Sequence, residues 1–346
     1  MSEPAWRWPA EWEPQDAILL AWPHAGTDWA AHLPAVEQAY VGLIEAITRF
    51  EDVVLVVADA DVEARARHCL QALPTARLHW VSAEYDDTWL RDCGPVVLTA
   101  DDRFALLDFH STGWGGKYAC ERDDALISEL VRAGLFRNAD RLRYPFALEG
   151  GAIDGDGAGS VLSTRHCLQH RHPGLNPDQL DARLRQLLHA QRLLLLESGE
   201  LQGDDTDAHV DTLARFVSVD TIAFQACDDP ADPQFAALAA MHEELRALRT
   251  ADGQPYRLLA LPWARPIHAA NGRRLAASYA NFLIVNAAVL VPAYGDPADA
   301  LAEQVLAQAF PDRQAIGVNA RPFIEQNGSL HCLSMQLPRG VVRALH

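Results

Sequence analysis

Short runs of apolar residues alternate along the chain with polar turns and with longer stretches in which apolar positions recur every three or four residues. Four segments read as β-hairpins: WLRDCGPVVLTADDRFALLDF (89–109), FALEGGAIDGDGAGSVLST (146–164), HVDTLARFVSVDTIAFQ (209–225) and YANFLIVNAAVLVPAY (279–294). Each opens on polar or glycine-containing residues, enters a short apolar strand and returns through a turn. The turns at ADD, DGDGAG and SVD carry the Asp, Gly and Ser that tight reversals favour. Between the hairpins, residues 35–50, 123–133, 177–190 and 299–309 show the spacing of helices with one apolar face. A hairpin plus a helix thus recurs about every 60 to 70 residues, the mark of a repeat-built α/β architecture. Five such units fit the 346 residues, and with no Ser/Gly-rich linker or charge run between them the prediction is one domain, 1–346.

Hydrophobic residues make up 49% and charged residues 22%, enough apolar material for a buried core. Twenty-nine Lys and Arg against 47 Asp and Glu give a formal charge of −18, which repels phosphate backbones and anionic membranes and attracts cations. Nucleic acid is therefore an unsuitable partner. The longest apolar stretch, Phe282 to Val291, is broken by Asn286 and falls far short of the roughly 20 residues of a membrane helix, so no membrane association is expected. The start, MSEPAWRWPAEWEP, lacks the basic end and apolar run of a secretory signal, which makes the cytoplasm the expected location. Six cysteines, at 69, 93, 120, 167, 227 and 332, form no C-x-x-C pair and suggest neither a disulfide framework nor a cysteine-based zinc site. Nine tryptophans suit a pocket for cations or flat groups.

Several clusters carry candidate chemistry, each with a plainer alternative. In GDDTDAHVDT (203–212) an extended backbone would put residues 205, 207, 209 and 211 on one face, so His209 and Asp211 would point together with Asp205 nearby. The alternatives are a solvated acidic loop or a hard-cation site. Asp92 lies in WLRDCGP immediately before the Cys93-Gly94-Pro95 turn, and Glu149 precedes two glycines that permit close backbone approach. DGDGAGS is a turn rather than a calcium loop, because Arg165 stands where such a loop needs glutamate. His166, His170 and His172 read as exposed loop histidines. Cys332, in NGSLHCLSMQLP, is either a buried small residue or a nucleophile whose partners the fold assembles.

Taken together and in order, PAEWEPQDAILLAWP, DDTWLRDCGP, FHSTGWGGKY, LEGGAIDGDG, DDTDAHVD, AASYANFLIVNAAVLVPAYGDP and NGSLHCLSMQLP resemble the agmatine deiminases. These belong to the guanidine-modifying superfamily, with bacterial peptidyl-arginine deiminases and arginine deiminases. The resemblance runs nearly end to end. It implies a five-bladed, pseudo-fivefold α/β propeller with its active site in the central channel. It also implies Cys332 as nucleophile, His209 as general acid and base, Glu149 orienting the imidazole, and Asp92 and Asp211 gripping the guanidinium, with substrate contacts from Asp205, Trp89 and Trp114. The implied reaction is hydrolysis of agmatine to N-carbamoylputrescine and ammonia through a covalent thiouronium, without metal or other cofactor; peptidyl-arginine or free-arginine deimination, or non-catalytic guanidine binding, are the alternatives. The implied partner is a small cationic guanidine, and the implied assembly a homo-oligomer. Acidic residues around Asp86, Asp87, Asp204 and Asp205 favour an amine-ended substrate, while Arg91 and Lys117 offer themselves as partners for a carboxylate. Two departures stand out: Ala208 where the family often has Gly, and Gln326–Ser329 in place of a Gly-rich stretch, which predicts a stiffer loop before Cys332.

Overall fold

The computed structural model describes residues 5–343; Met1 to Pro4 of the N-terminal segment discussed above lie outside them. The strands form five separate small sheets, four of three strands and one of four. In each three-stranded sheet an antiparallel hairpin is extended by a third strand parallel to its second: Val96–Ala100, Arg103–His110 and Ala139–Ala147; Ile153–Gly155, Ser160–Thr164 and Arg192–Leu196; Ala214–Ser218, Thr221–Gln225 and Arg257–Leu261; Leu283–Val285, Ala288–Ala293 and Gln314–Asn319. The fifth sheet joins the two ends of the chain. Met335–Pro338 pairs antiparallel with Gln15–Ala21, which continues in parallel into Asp52–Val57 and Leu78–Ser82.

The recurring unit is therefore hairpin, helix and third strand, one strand more than the sequence pattern predicts. Parallel strands need a crossover, and a helix supplies it in each unit: Leu33–Thr48, Glu121–Arg132, Arg165–Arg171 with Pro177–Leu187, Phe235–Ala247, and Asp299–Ala309. The helix at 177 begins on a capping box in which Asn176 accepts from Gln179 N and the Gln179 side chain accepts from Asn176 N, with Pro177 where a missing N–H costs nothing. Arg165–Arg171 corrects the loop expected there. Cys167, Leu168 and Arg171 turn inward and the His172 ring stacks on Phe146, while His166 and His170 are exposed as expected, on a helix rather than a loop.

Apolar side chains of the helices and sheets bury in four clusters, the largest built on Leu33–Thr48 and the sheet containing Leu283–Val285. Among the described residues no helix is long and apolar enough to cross a membrane. The first strand of every sheet is preceded by a short turn: Leu90–Cys93, Gly150–Ala152, Val210–Thr212, residues 279–281, and residues 327–334 before Met335. Those five turns carry the polar groups that matter below.

Candidate active site

Asp92, Glu149, His209, Asp211 and Cys332, from four of these five turns, converge in one buried cluster. The His209 ring is fully buried, with Nδ1 3.6 Å from Asp92 Oδ1 and Nε2 3.6 Å from Glu149 Oε2. Among the described residues neither ring nitrogen has a hydrogen-bond partner, nor does Asp211 Oδ1. Unpaired buried polar atoms are costly, so three of them on two neighbouring residues mark a place prepared for a polar ligand. Gly151 makes the approach possible: its N–H donates to Asp92 Oδ1 at 2.9 Å, and a Cβ there would lie 2.7 Å from His209 Nδ1 and 2.8 Å from Asp92 Oδ1.

The charges are set by neighbours. Burial disfavours the His209 cation, but Asp92, then Cys167 and Glu149, outweigh it and hold the imidazole pKa well above its ordinary value. Burial would raise Glu149, yet His209 and Arg171 bring it below the usual carboxylate range. Arg171 is itself buried and donates from Nε to both Glu149 oxygens, at 2.8 and 3.1 Å, and from a terminal nitrogen to Asp207 at 2.6 Å. Asp92 is raised, first by burial, then by Asp211 and Glu149, while His209 and the Trp114 Nε1–H at 2.8 Å pull the other way.

Cys332 Sγ sits 3.4 Å from Asp211 Oδ2 and accepts from Asn281 Nδ2 at 3.1 Å. Burial together with Asp211 and Asp92 pushes this thiol well above its ordinary pKa, so the unliganded site holds a protonated thiol beside a charged imidazole. Beneath it, His331 bridges two carboxylates, with Nδ1 2.8 Å from Asp211 Oδ2 and Nε2 2.8 Å from Glu11 Oε1. Glu11 is further held by Arg91 at 2.9 Å, Gln336 at 2.9 Å and Arg215. His331 thereby keeps Asp211 ionised against the cost of burial.

A cavity of about 650 Å³ opens above Cys332. Trp89, Asp92, Trp114 and Asp205 line it, whereas Glu149, His209 and Asp211 lie behind its floor. Asp205 is at the rim, where its carboxylate accepts from Tyr118 Oη at 2.6 Å and its carbonyl from Lys117 Nζ at 2.6 Å. Asp28, Asp86, Asp87, Asp204 and Glu325 add carboxylates to the same wall, and Arg273 adds a cation. Neither basic residue suggested by the motifs is free. Lys117 is spanned between Asp205 and Asp207, and Arg91 is buried against Glu11, away from this cavity.

Both departures from the family pattern show a structural cost or consequence. Asp207 and Ala208 have φ of +65° and +67°, a left-handed pair that glycine would tolerate more easily. The strained turn is fastened by Asp204, which accepts from Thr206 N, Thr206 Oγ1 and Ala208 N, and by Thr164, which donates to Ala208 O. Before Cys332, Gly328 packs so tightly on Trp89 that a Cβ would lie 2.2 Å from the indole. Asn281, Arg171, Glu11 and His331 were not singled out by the sequence as site residues. Asn281 had a readable signal, since it occupies the hairpin start that in other units holds Asp92, Glu149 and His209.

Comparison with known proteins places this arrangement. A family model described as Porphyromonas-type peptidyl-arginine deiminase matches residues 7–338. The agmatine deiminase of Stutzerimonas stutzeri is 34% identical, over 97% of this chain and 96% of its own length. Among solved structures, a Porphyromonas gingivalis protein provisionally called an arginine deiminase is 43% identical with a TM-score of 0.92, over 98% of this chain and 100% of its own. A C. jejuni agmatine deiminase, in a cysteine-to-serine variant with substrate bound, is 34% identical with a TM-score of 0.90, over 97% of each chain.

Proposed function

The chain belongs to the Porphyromonas-type peptidyl-arginine deiminase family, and from that premise we propose that it is an agmatine deiminase, hydrolysing agmatine to N-carbamoylputrescine and ammonia through Cys332. The carrying observation is the set of acids gathered with the thiol: Asp211, with Oδ2 3.4 Å from Cys332 Sγ and Oδ1 without a partner among the described residues, and Asp92, 3.6 Å from a His209 ring that likewise has no hydrogen-bond partner among them. A guanidinium is a planar cation with five N–H donors, and two carboxylates accept them in charge-assisted pairs.

Binding also changes the thiol. The two carboxylates that hold Cys332 protonated are the ones the guanidinium neutralises, so arrival of substrate favours the thiolate, and the thiol proton is released to solvent. The thiolate attacks the guanidinium carbon, forming the C–S bond and a tetrahedral adduct. His209, charged in the resting site, protonates the departing nitrogen, the C–N bond breaks, ammonia leaves and the thiouronium remains. Neutral His209 then takes a proton from water, whose oxygen attacks the same carbon. Collapse expels the Cys332 sulfur and gives the ureido product. Glu149, fixed by Arg171, keeps the ring oriented through both steps. None of these steps requires a metal or organic cofactor.

An acidic wall with Lys117 and Arg91 already paired supports a substrate ending in an amine, and Trp89 and Trp114 supply flat surfaces along an alkyl guanidine. Arg273 favours a second reading, deimination of arginine, because it lines the cavity and its guanidinium has, among the described residues, only Glu325 O and Asn327 Oδ1 as hydrogen-bond partners. Ureido product should be measured from agmatine, free arginine and a C-terminal-arginine peptide under identical conditions. Agmatine is expected to give the highest kcat/KM; faster turnover of either carboxylate-bearing substrate overturns the assignment. We read the five sheets as blades of a pseudo-fivefold propeller forming one domain around this site, in a cytoplasmic homo-oligomeric enzyme.

A further inference from the structure

Behind the imidazole lies a third group that the proposed reaction does not use. Cys167, fully buried on the helix Arg165–Arg171, brings its sulfur to the same place as Glu149 and His209, so that one ligand atom from each lies within 4.8 Å of the other two. We infer that Glu149, Cys167 and His209 form a binding site for a soft divalent cation of the zinc type, and that its occupation silences the enzyme.

The donor set is one thiolate, one imidazole and one carboxylate, which suits zinc and excludes the oxygen-preferring cations. The second, independent sign is the fully buried His209 ring, neither of whose nitrogens has a hydrogen-bond partner among the described residues: once it gives up a proton, its lone pair is open to a metal ion. The 3.6 Å between Nε2 and Glu149 Oε2 already matches the roughly 3.3–3.8 Å edge implied by zinc–ligand bonds near 2.0–2.3 Å in a tetrahedron. Three elements hold the donors before any ion arrives: the turn at Glu149, the helix with Cys167, and the Asp204-fastened loop before His209. Arg171 fixes the carboxylate from outside, as metal-site supports do, and its own charge is offset by Asp207. With both thiol and carboxyl ionised, a divalent ion makes the trio neutral, which a buried site favours. The ligating forms are a thiolate and a neutral imidazole, so binding releases protons and affinity should rise with pH.

Occupation would inhibit because it takes the lone pair of His209 and the carboxylate that orients it. That consequence rests on the proposed reaction; the binding does not. The test is therefore zinc binding by the purified, chelator-treated protein, followed by titration calorimetry and by the thiolate-to-metal absorption of the cobalt form, alongside ammonia release. Zinc is the calorimetric probe and cobalt its spectroscopic stand-in. Wild type and Cys332→Ser should each bind one ion, and Cys167→Ser none; wild-type turnover should fall at least tenfold at saturation. Should Cys167→Ser fold poorly, His209→Asn serves the binding arm and is likewise expected to lose the ion. Binding that survives Cys167→Ser, vanishes in Cys332→Ser or is absent from wild type overturns the site. Ammonia release by metal-free enzyme, measured separately, shows whether the reaction itself stands.

Discussion

Asn281 should be the most informative substitution outside the five residues read from the sequence. Its Nδ2 donates to Cys332 Sγ at 3.1 Å, and its Oδ1 accepts from His331 N at 3.1 Å and Cys332 N at 3.3 Å. The first contact strengthens when the sulfur becomes anionic, and a hydrogen bond to a charged group contributes about 1.5–3 kcal/mol. Its loss in Asn281→Ala should lower kcat/KM for agmatine about 10- to 150-fold. Alanine also strands the Cys332 amide in the core, so some loss of stability is expected, about 1–3 kcal/mol. Asn281→Asp separates the two effects. It keeps an acceptor for both amides but removes the donor and sets a second carboxyl beside the sulfur, so its rate loss should deepen as pH rises and that carboxyl ionises. Ammonia release across a pH series, with urea unfolding of each variant, provides the assay. Wild-type kcat/KM in both variants would refute a thiolate held by Asn281.

Three further outcomes follow from the charges. Burial raises Glu51 from 4.5 to about 7, so the folded state keeps a proton that the unfolded chain has lost, and stability should decline between pH ~4.5 and ~7 and level off above; Glu51→Gln should flatten that limb in pH-dependent melts, by about 3 kcal/mol at most. Arg171→Met leaves the buried Glu149 without its arginine, while Asp207 keeps Lys117, and should cost about 3–5 kcal/mol in urea unfolding, with Arg171→Lys recovering little because one ammonium cannot replace the fork. Arg273→Ala should leave agmatine kcat/KM at or above the wild-type value and reduce any residual arginine turnover; a fall for agmatine would assign Arg273 to its binding instead.

How much of this was legible in the sequence depends on distance along the chain. Hairpins and amphipathic helices are local, and the helix at Asp299–Ala309 ends where its apolar spacing does. Third strands such as Arg192–Leu196 were missed because a short apolar run after a helix has no period of its own, and only its parallel partner at Ser160–Thr164 makes it a strand. The candidate catalytic residues were visible through motifs, each at a hairpin start. Their supports were not, because Glu11 reaches His331 across 320 positions and Arg171 reaches Glu149 from a segment that reads as a polar loop. The left-handed backbone at Ala208 was foreshadowed by the expected glycine, but the Asp204 clasp that makes alanine tolerable appears only in three dimensions.

The central claim is that Cys332 carries the substrate carbon during turnover. Acid quench within the first turnover on agmatine, followed by intact-mass and peptide analysis, should find protein heavier by agmatine less ammonia, with the added mass on the peptide containing Cys332. Cys332→Ser should release no ammonia and carry no adduct. An adduct on another residue, or near-normal ammonia release by Cys332→Ser, would contradict the account.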